Sequence, residues 1–103
     1  MSKMIEAEFI ENFLVVWNPE DGSELYKIGF YGKPVGIPKP KSPDFDVPLI
    51  LDLMEGLYLV DKRRIKVFEG LNRNRVTFSS LRSRARKFYE DFDHKYAIYK
   101  DLR

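Results

Sequence analysis

Leu53-Met54-Glu55-Gly56-Leu57-Tyr58-Leu59, followed by Arg64-Ile65-Lys66-Val67-Phe68, is the stretch on which the fold turns. Ile50, Leu53, Met54, Leu57 and Val60 recur at spacings of three and four, so one apolar stripe runs along a helix over residues 47–61 and packs on a sheet. Asp46 can cap its start, and Pro48 is tolerated in a first turn whose N–H groups have no helical partner to lose. Lys62-Arg63-Arg64 suits the negative pole of the helix and reads as its closure rather than as a ligand site. Gly56 inside the helix costs about 1 kcal/mol relative to Ala, so a strand is expected to approach closely there. The period then switches to two: Ile65 and Val67 alternate with Arg64 and Lys66, which is a strand over residues 64–69.

Towards the N-terminus, Ile5, Ala7 and Phe9 alternate with Glu6 and Glu8, and residues 13–17 form a second apolar run. The link between them is short enough for a hairpin. Asn18-Pro19-Glu20-Asp21-Gly22 breaks the chain with turn chemistry, and Ser23 is read as the cap of a short helix through Ile28. Gly29, Gly32 and Gly36 match neither a phosphate loop nor a dinucleotide fingerprint. Gly29 fits a left-handed helix C-cap instead, with Pro34 forbidding renewed helix and Phe30 and Tyr31 anchoring the turn. Residues 37–48 contain four prolines and read as an extended loop; Pro40-Lys41-Ser42-Pro43 has the PxxP form, but a loop leading into the next helix is preferred.

Towards the C-terminus, residues 70–74 turn the chain and Arg75-Val76-Thr77-Phe78 returns as a short partner strand. Thr77 also reads as the N-cap of a helix that aligns Phe78, Leu81, Ala85, Phe88 and Tyr89 on one face, with Arg82, Arg86 and Lys87 opposite. A last helix over residues 91–103 carries Phe92, Tyr96 and Tyr99 on one face and Ile98 and Leu102 beside it. Apolar surface left uncovered marks an interaction site. Those five residues are therefore the candidates for a partner interface.

The 103 residues suffice for one small domain, or one domain and a fragment of another. Eight Phe and six Tyr in so short a chain imply a core dominated by aromatic packing and argue against disorder. Without cysteine there is no disulfide framework, thiolate metal site or cysteine nucleophile. No signal peptide or apolar run of spanning length is evident, so the expectation is a soluble, cytoplasmic protein without membrane partners. Residues 1–60 hold five Lys against ten Asp or Glu, net −5, and residues 61–103 hold thirteen Lys or Arg against six, net +7, which together give the overall +2. The basic half can attract RNA phosphates, and Arg75, Arg82, Arg86 and Lys87 are the candidate contacts. A solvated basic face is the competing reading.

Three segments resemble one family. Gly29-Phe30-Tyr31-Gly32-Lys33-Pro34-Val35-Gly36, Leu53-Met54-Glu55-Gly56-Leu57-Tyr58-Leu59 with the strand after it, and Lys95-Tyr96-Ala97-Ile98-Tyr99-Lys100-Asp101-Leu102-Arg103 are similar, in the same order, to the N-terminal domain of the archaeal tRNA-splicing (tRNA-intron) endonuclease. Thr77-Phe78 resembles the start of that family's S/T-F-x-x-L helix. Gly56 stands where many relatives carry Ala, and residues 39–46 also depart from the pattern. The resemblance implies an enzyme that cuts precursor tRNA at the exon–intron boundaries of a bulge–helix–bulge element. It would do so without a metal or cofactor, with a Tyr general base, a His general acid and a Lys stabilising attack of the 2′-hydroxyl. It also implies that those three groups lie in a second domain beyond the KY-x-x-Y-x-DLR helix, past Arg103.

His94, the sole histidine, precedes that motif and has no orienting partner in sequence, so it is not assigned as a catalyst. Asp91, Asp93 and His94 have no recognised ligand spacing, and no metal site is assigned. The expectation is an α+β domain: a small antiparallel sheet of about four strands packed by about three helices, ending in the first helix of a missing C-terminal domain. Residues 1–90 would form the non-catalytic N-terminal domain and residues 91–103 a linker helix opening the catalytic one. Alone, the chain would be inactive; its partners would be a catalytic domain or subunit and, through an oligomeric assembly, precursor tRNA. The rival reading is a free-standing RNA-binding or adaptor domain with no endonuclease partner.

Overall fold

The computed structural model describes residues 4–37 and 45–103. The hairpin forms as its alternation requires: β1 (Ile5–Ile10) and β2 (Phe13–Val16) pair antiparallel, with Glu11 at φ 56° in the turn. α1 (Pro19–Gly29) follows at once. Its cap is Asn18, whose Oδ1 accepts the N–H groups of Glu20 and Asp21 at 2.9 and 3.3 Å, with Pro19 at the first helical position and two acids in the first turn. Ser23, expected to be that cap, lies inside the helix instead. Its buried Oγ donates to the Phe45 carbonyl and accepts the Phe45 N–H, fastening α1 to the loop before the next strand. The left-handed residue that ends α1 is Phe30, φ 56°, not Gly29. Gly29 stays helical, and its missing side chain leaves room for the Tyr31 ring, 2.6 Å from where a Cβ would stand. Tyr31 is buried as expected, but Phe30 is exposed.

The helix expected over residues 47–61 divides. β3 (Lys33–Pro34) and β4 (Leu49–Asp52) are strands, and α2 (Leu53–Asp61) starts only afterwards. Leu49 and Leu51 are fully buried while Ile50 between them is half-buried, which is a strand's alternation. β4 pairs with β2 on one side and β3 on the other, and these long-range ladders override the 3.6-residue spacing. The helix start belongs to Asp52 rather than Asp46. Asp52 Oδ1 accepts the Glu55 N–H at 2.7 Å and Glu55 Oε1 accepts the Asp52 N–H at 3.2 Å, a reciprocal capping box. The proline-rich tract, including the PxxP form, falls on residues 38–44, outside the described residues.

β5 (Ile65–Glu69) and β6 (Asn74–Val76) complete a six-stranded sheet in the order β3-β4-β2-β1-β5-β6. β1 and β5 are parallel and the other pairs antiparallel. The fold is α+β, with a larger and mixed sheet in place of four antiparallel strands. The parallel pair exists because α2 carries the chain across the sheet between β4 and β5. α3 (Phe78–Phe88), capped by Thr77, and α4 (Phe92–Leu102) finish the chain.

The helices gather on one face of the sheet. A Cβ on Gly22 of α1 would meet Leu49, and one on Gly56 of α2 would fall 2.1 Å from Leu14 Cδ1. Gly56 therefore admits a strand side chain against the helix backbone. α3 reaches the same face through Arg84, which bonds Glu69 of β5 and lies over the Phe9 ring of β1. α4 packs outside them, on α2 and α3. Leu14, Val16, Leu51, Leu57, Ile65, Val67 and Leu81 fill the space between.

Candidate functional site

α3 concentrates cations because its apolar face is narrow, Leu81 and Ala85 being its buried residues. The structure engages most of those cations internally. Arg82 Nη2 and Arg86 Nη2 stand 3.1 and 2.9 Å from the Asp93 carboxylate of α4, and Arg84 holds Glu69 through two bonds of 2.6 Å. The guanidinium hydrogen bonds hold the carboxyls of Asp93 and Glu69 below their ordinary range. Lys87 is exposed and has no ion pair among the described residues. Arg75 is separated from the helix altogether. It lies on β6, its guanidinium 5.9 Å from the centre of the Phe68 ring. The four candidate RNA contacts thus divide between a helix and the opposite side of the sheet.

The five candidate interface residues also divide. Phe92 is 2% and Tyr96 8% exposed inside this domain's own core, and Tyr99 packs against it. The Phe92 and Tyr96 rings stack at 5.5 Å, and Tyr99 meets Tyr58 of α2 edge to face at 5.5 Å. These three side chains face inward and offer little to a partner. Ile98 at 47% and Leu102 at 82% exposure remain outward-facing.

Further polar contacts hold the middle and the C-terminal end of α4. Asp61, the last residue of α2, accepts from Lys100 Nζ at 2.9 Å and from the Tyr96 hydroxyl at 3.4 Å. The Lys100 bond keeps the Asp61 carboxyl low, while burial and then the Asp61 charge push the Tyr96 phenol well up. Arg103 Nη1 donates to the Gly29 carbonyl at 2.7 Å and its guanidinium lies over Tyr31 at 4.3 Å. Close by, Glu55 Oε2 accepts the Gly32 N–H at 2.8 Å. Burial raises the Glu55 carboxyl above its ordinary value, against that bond. Sequence spacing identified none of these cross-links, because each joins residues far apart in the chain.

His94 is exposed on α4, its side chain without a hydrogen bond among the described residues, while Tyr96 two positions on turns inward. Among the described residues, no group of three or more His, Cys, Asp or Glu side chains is placed to hold a metal ion. Nor is any helix among them long and apolar enough to cross a membrane.

Residues 5–82, from β1 into α3, match the family model described as tRNA intron endonuclease, N-terminal domain. This chain belongs to that family. Among its curated relatives, the tRNA-splicing endonuclease of Hyperthermus butylicus is 40% identical over 97% of this chain and 55% of its own length. Those of Sulfurisphaera tokodaii and Sulfolobus acidocaldarius are each 38% identical, over 94% and 97% of this chain and 53% and 55% of their own lengths. The chain thus spans about half the length of the endonucleases it matches. The family match stops at residue 82, before α4, whereas the alignments with whole relatives extend over nearly all of the chain.

Proposed function

We propose that this chain is the non-catalytic N-terminal part, or a structural subunit, of a cytoplasmic tRNA-intron endonuclease that excises introns from precursor tRNA at bulge–helix–bulge sites. The observation that carries the reading is the pairing of near-complete alignment along this chain with coverage of only about half of each relative. A second supports it: the chain's sole histidine, His94, is exposed and stands apart from Tyr96 and Lys100 of the same helix, which meet at Asp61. The domain's role is architectural, holding the catalytic part, with residues 91–103 passing the chain towards it.

The test is cleavage of a bulge–helix–bulge precursor tRNA by the purified chain, alone and mixed with a catalytic chain of the family. Inactivity alone, with cleavage restored or raised in the mixture, is expected. Cleavage by the chain alone, abolished by His94→Ala, overturns the proposal. Strong salt-dependent tRNA binding with no effect on a catalytic chain supports a free-standing RNA-binding domain instead.

A further inference from the structure

The sheet face opposite the helices has no helix over it among the described residues. Strand register places one row of residues across all six strands: Arg75 pairs with Phe68, Phe68 with Glu8, Glu8 with Val15, Val15 with Ile50, and Ile50 with Lys33. At roughly 4.8 Å per strand the row is about 24 Å long. Lys66 lies beside Glu6 on one flank of it, and Ile10 beside Phe13 on the other. Phe13 and Phe68 are half-buried, so part of each ring is open to solvent.

Charge is distributed differently here than on α3. Lys33, Lys66 and Arg75 have no carboxylate partner among the described residues. Of the carboxylates here, Glu6 and Glu8 are engaged, while Asp52 stands beside Phe13 and shares a hollow with Glu55, Phe13 and Lys33. Arg73 pairs with Glu6, and the Trp17 indole N–H donates to Glu8 at 2.8 Å. Asp52 and Asp21 sit at the N-termini of α2 and α1, where the helix dipoles favour them. Uncommitted cations therefore surround flat aromatic surface, and two guanidiniums flank one ring, Arg73 at 4.6 Å and Arg75 at 5.9 Å from the centre of Phe68. An apolar protein partner would leave those cations desolvated and unpaired. Single-stranded RNA supplies both phosphates for the cations and bases that stack on rings and guanidinium planes.

We propose that this open sheet face binds single-stranded RNA, with Lys33, Lys66 and Arg75 on phosphates and Phe13 and Arg-flanked Phe68 as stacking surfaces. That the RNA is precursor tRNA rests on the proposed function; the affinity of the face for single strands does not.

The experiment measures fluorescence anisotropy of a labelled, unstructured oligoribonucleotide of about ten nucleotides with the whole chain across a salt series. Trp17, the sole tryptophan and 56% exposed on this face, gives an independent signal through its emission. Binding at low salt is expected, weakened about tenfold or more by Lys66→Glu with Arg75→Glu. Every cation taken off a phosphate should lower the log–log salt slope by about 0.7. Phe68→Leu keeps apolar volume without the ring and should weaken binding about fivefold or more. Lys87→Glu on α3 should change it by less than about twofold. Circular dichroism confirms that each variant folds. No binding by the unaltered chain overturns the proposal, as does a Lys87 effect equal to that of the sheet variants. So do sheet variants that alter self-association or docking to a catalytic chain while RNA affinity stays constant. Restored cleavage in the mixture together with RNA affinity indifferent to the sheet variants removes this inference and leaves the proposed function intact. The reverse pattern removes that function and leaves the RNA face.

Discussion

Adjacent residues of the same strands meet opposite surroundings on the two sides of this sheet. In β4, Leu49 and Leu51 are fully buried beneath α1 and α2, while Ile50 lies half-open between Val15 and Lys33. In β5, Ile65 and Val67 are sealed in the core, while Lys66 and Phe68 look outward. The helical side spends its charges on itself: Arg82 and Arg86 on Asp93, Arg84 on Glu69, Lys100 on Asp61. The open side keeps three cations without carboxylate partners among the described residues. A cation-rich sequence is thus a poor guide to a binding surface until the internal pairs are known. The helix with the most arginines has the fewest to offer.

Substitutions can break or sharpen this contrast. The largest effect is expected at Phe92, outermost of the helical side. Phe92→Ala should cost about 4 kcal/mol in urea denaturation, since the ring is buried against Tyr89 and Tyr96. An unchanged midpoint would show that α4 is a detachable linker and that the core ends with α3. Next comes the β4 pair. Leu51→Ala should cost about 3 kcal/mol and Ile50→Ala only about 1 kcal/mol, because just one of the two leaves a closed cavity. Equal losses would mean that the second face is covered in solution.

A smaller effect is expected at Arg84. Arg84→Ala should cost about 1 kcal/mol, as a two-bond ion pair a third exposed is only moderately stabilising. A double-mutant cycle with Glu69→Gln isolates the pair from the packing of Arg84 on Phe9.

The smallest effect is one of pH. Burial raises the Glu55 carboxyl above its ordinary 4.5, so the folded state holds that proton more tightly than the unfolded state. Its contribution is fully present below about pH 4.5 and is lost as pH rises through the folded value. Glu55→Gln should remove that slope, so the variant compares more favourably with the parent at pH 7 than at pH 4. Guanidinium denaturation of both proteins at the two pH values checks the sign. Glu69 and Asp61 act oppositely, stabilising at neutral pH and losing that contribution on acidification.

Much of the order of elements was legible because it is written locally. The alternation of Ile5, Ala7 and Phe9, the Thr77 cap and the strand through Ile65 and Val67 each need only neighbouring residues to be read. The family was legible as well, through motifs at Gly29, Leu53 and Lys95, and membership in it is borne out. Misplaced boundaries fell where two local signals competed. Asn18-Pro19 and Asp52 with Glu55 are helix starts visible in sequence, yet Ser23 and Asp46 offered caps of equal chemistry. Leu49-Ile50-Leu51 carries no local preference strong enough to separate strand from helix.

By itself, the sequence determined the α+β class, the hairpin, the cation-rich second half and the membership in an endonuclease family, because periodicity, turn chemistry and motifs act over a few residues. Only the tertiary structure decided that Phe92 and Tyr96 belong to the core, that α3 pairs its arginines, and that Arg75 and Lys33 end one row across the sheet. Those outcomes depend on strand register and on pairings across tens of residues, and the free energy of such contacts exists only once the chain has closed upon itself.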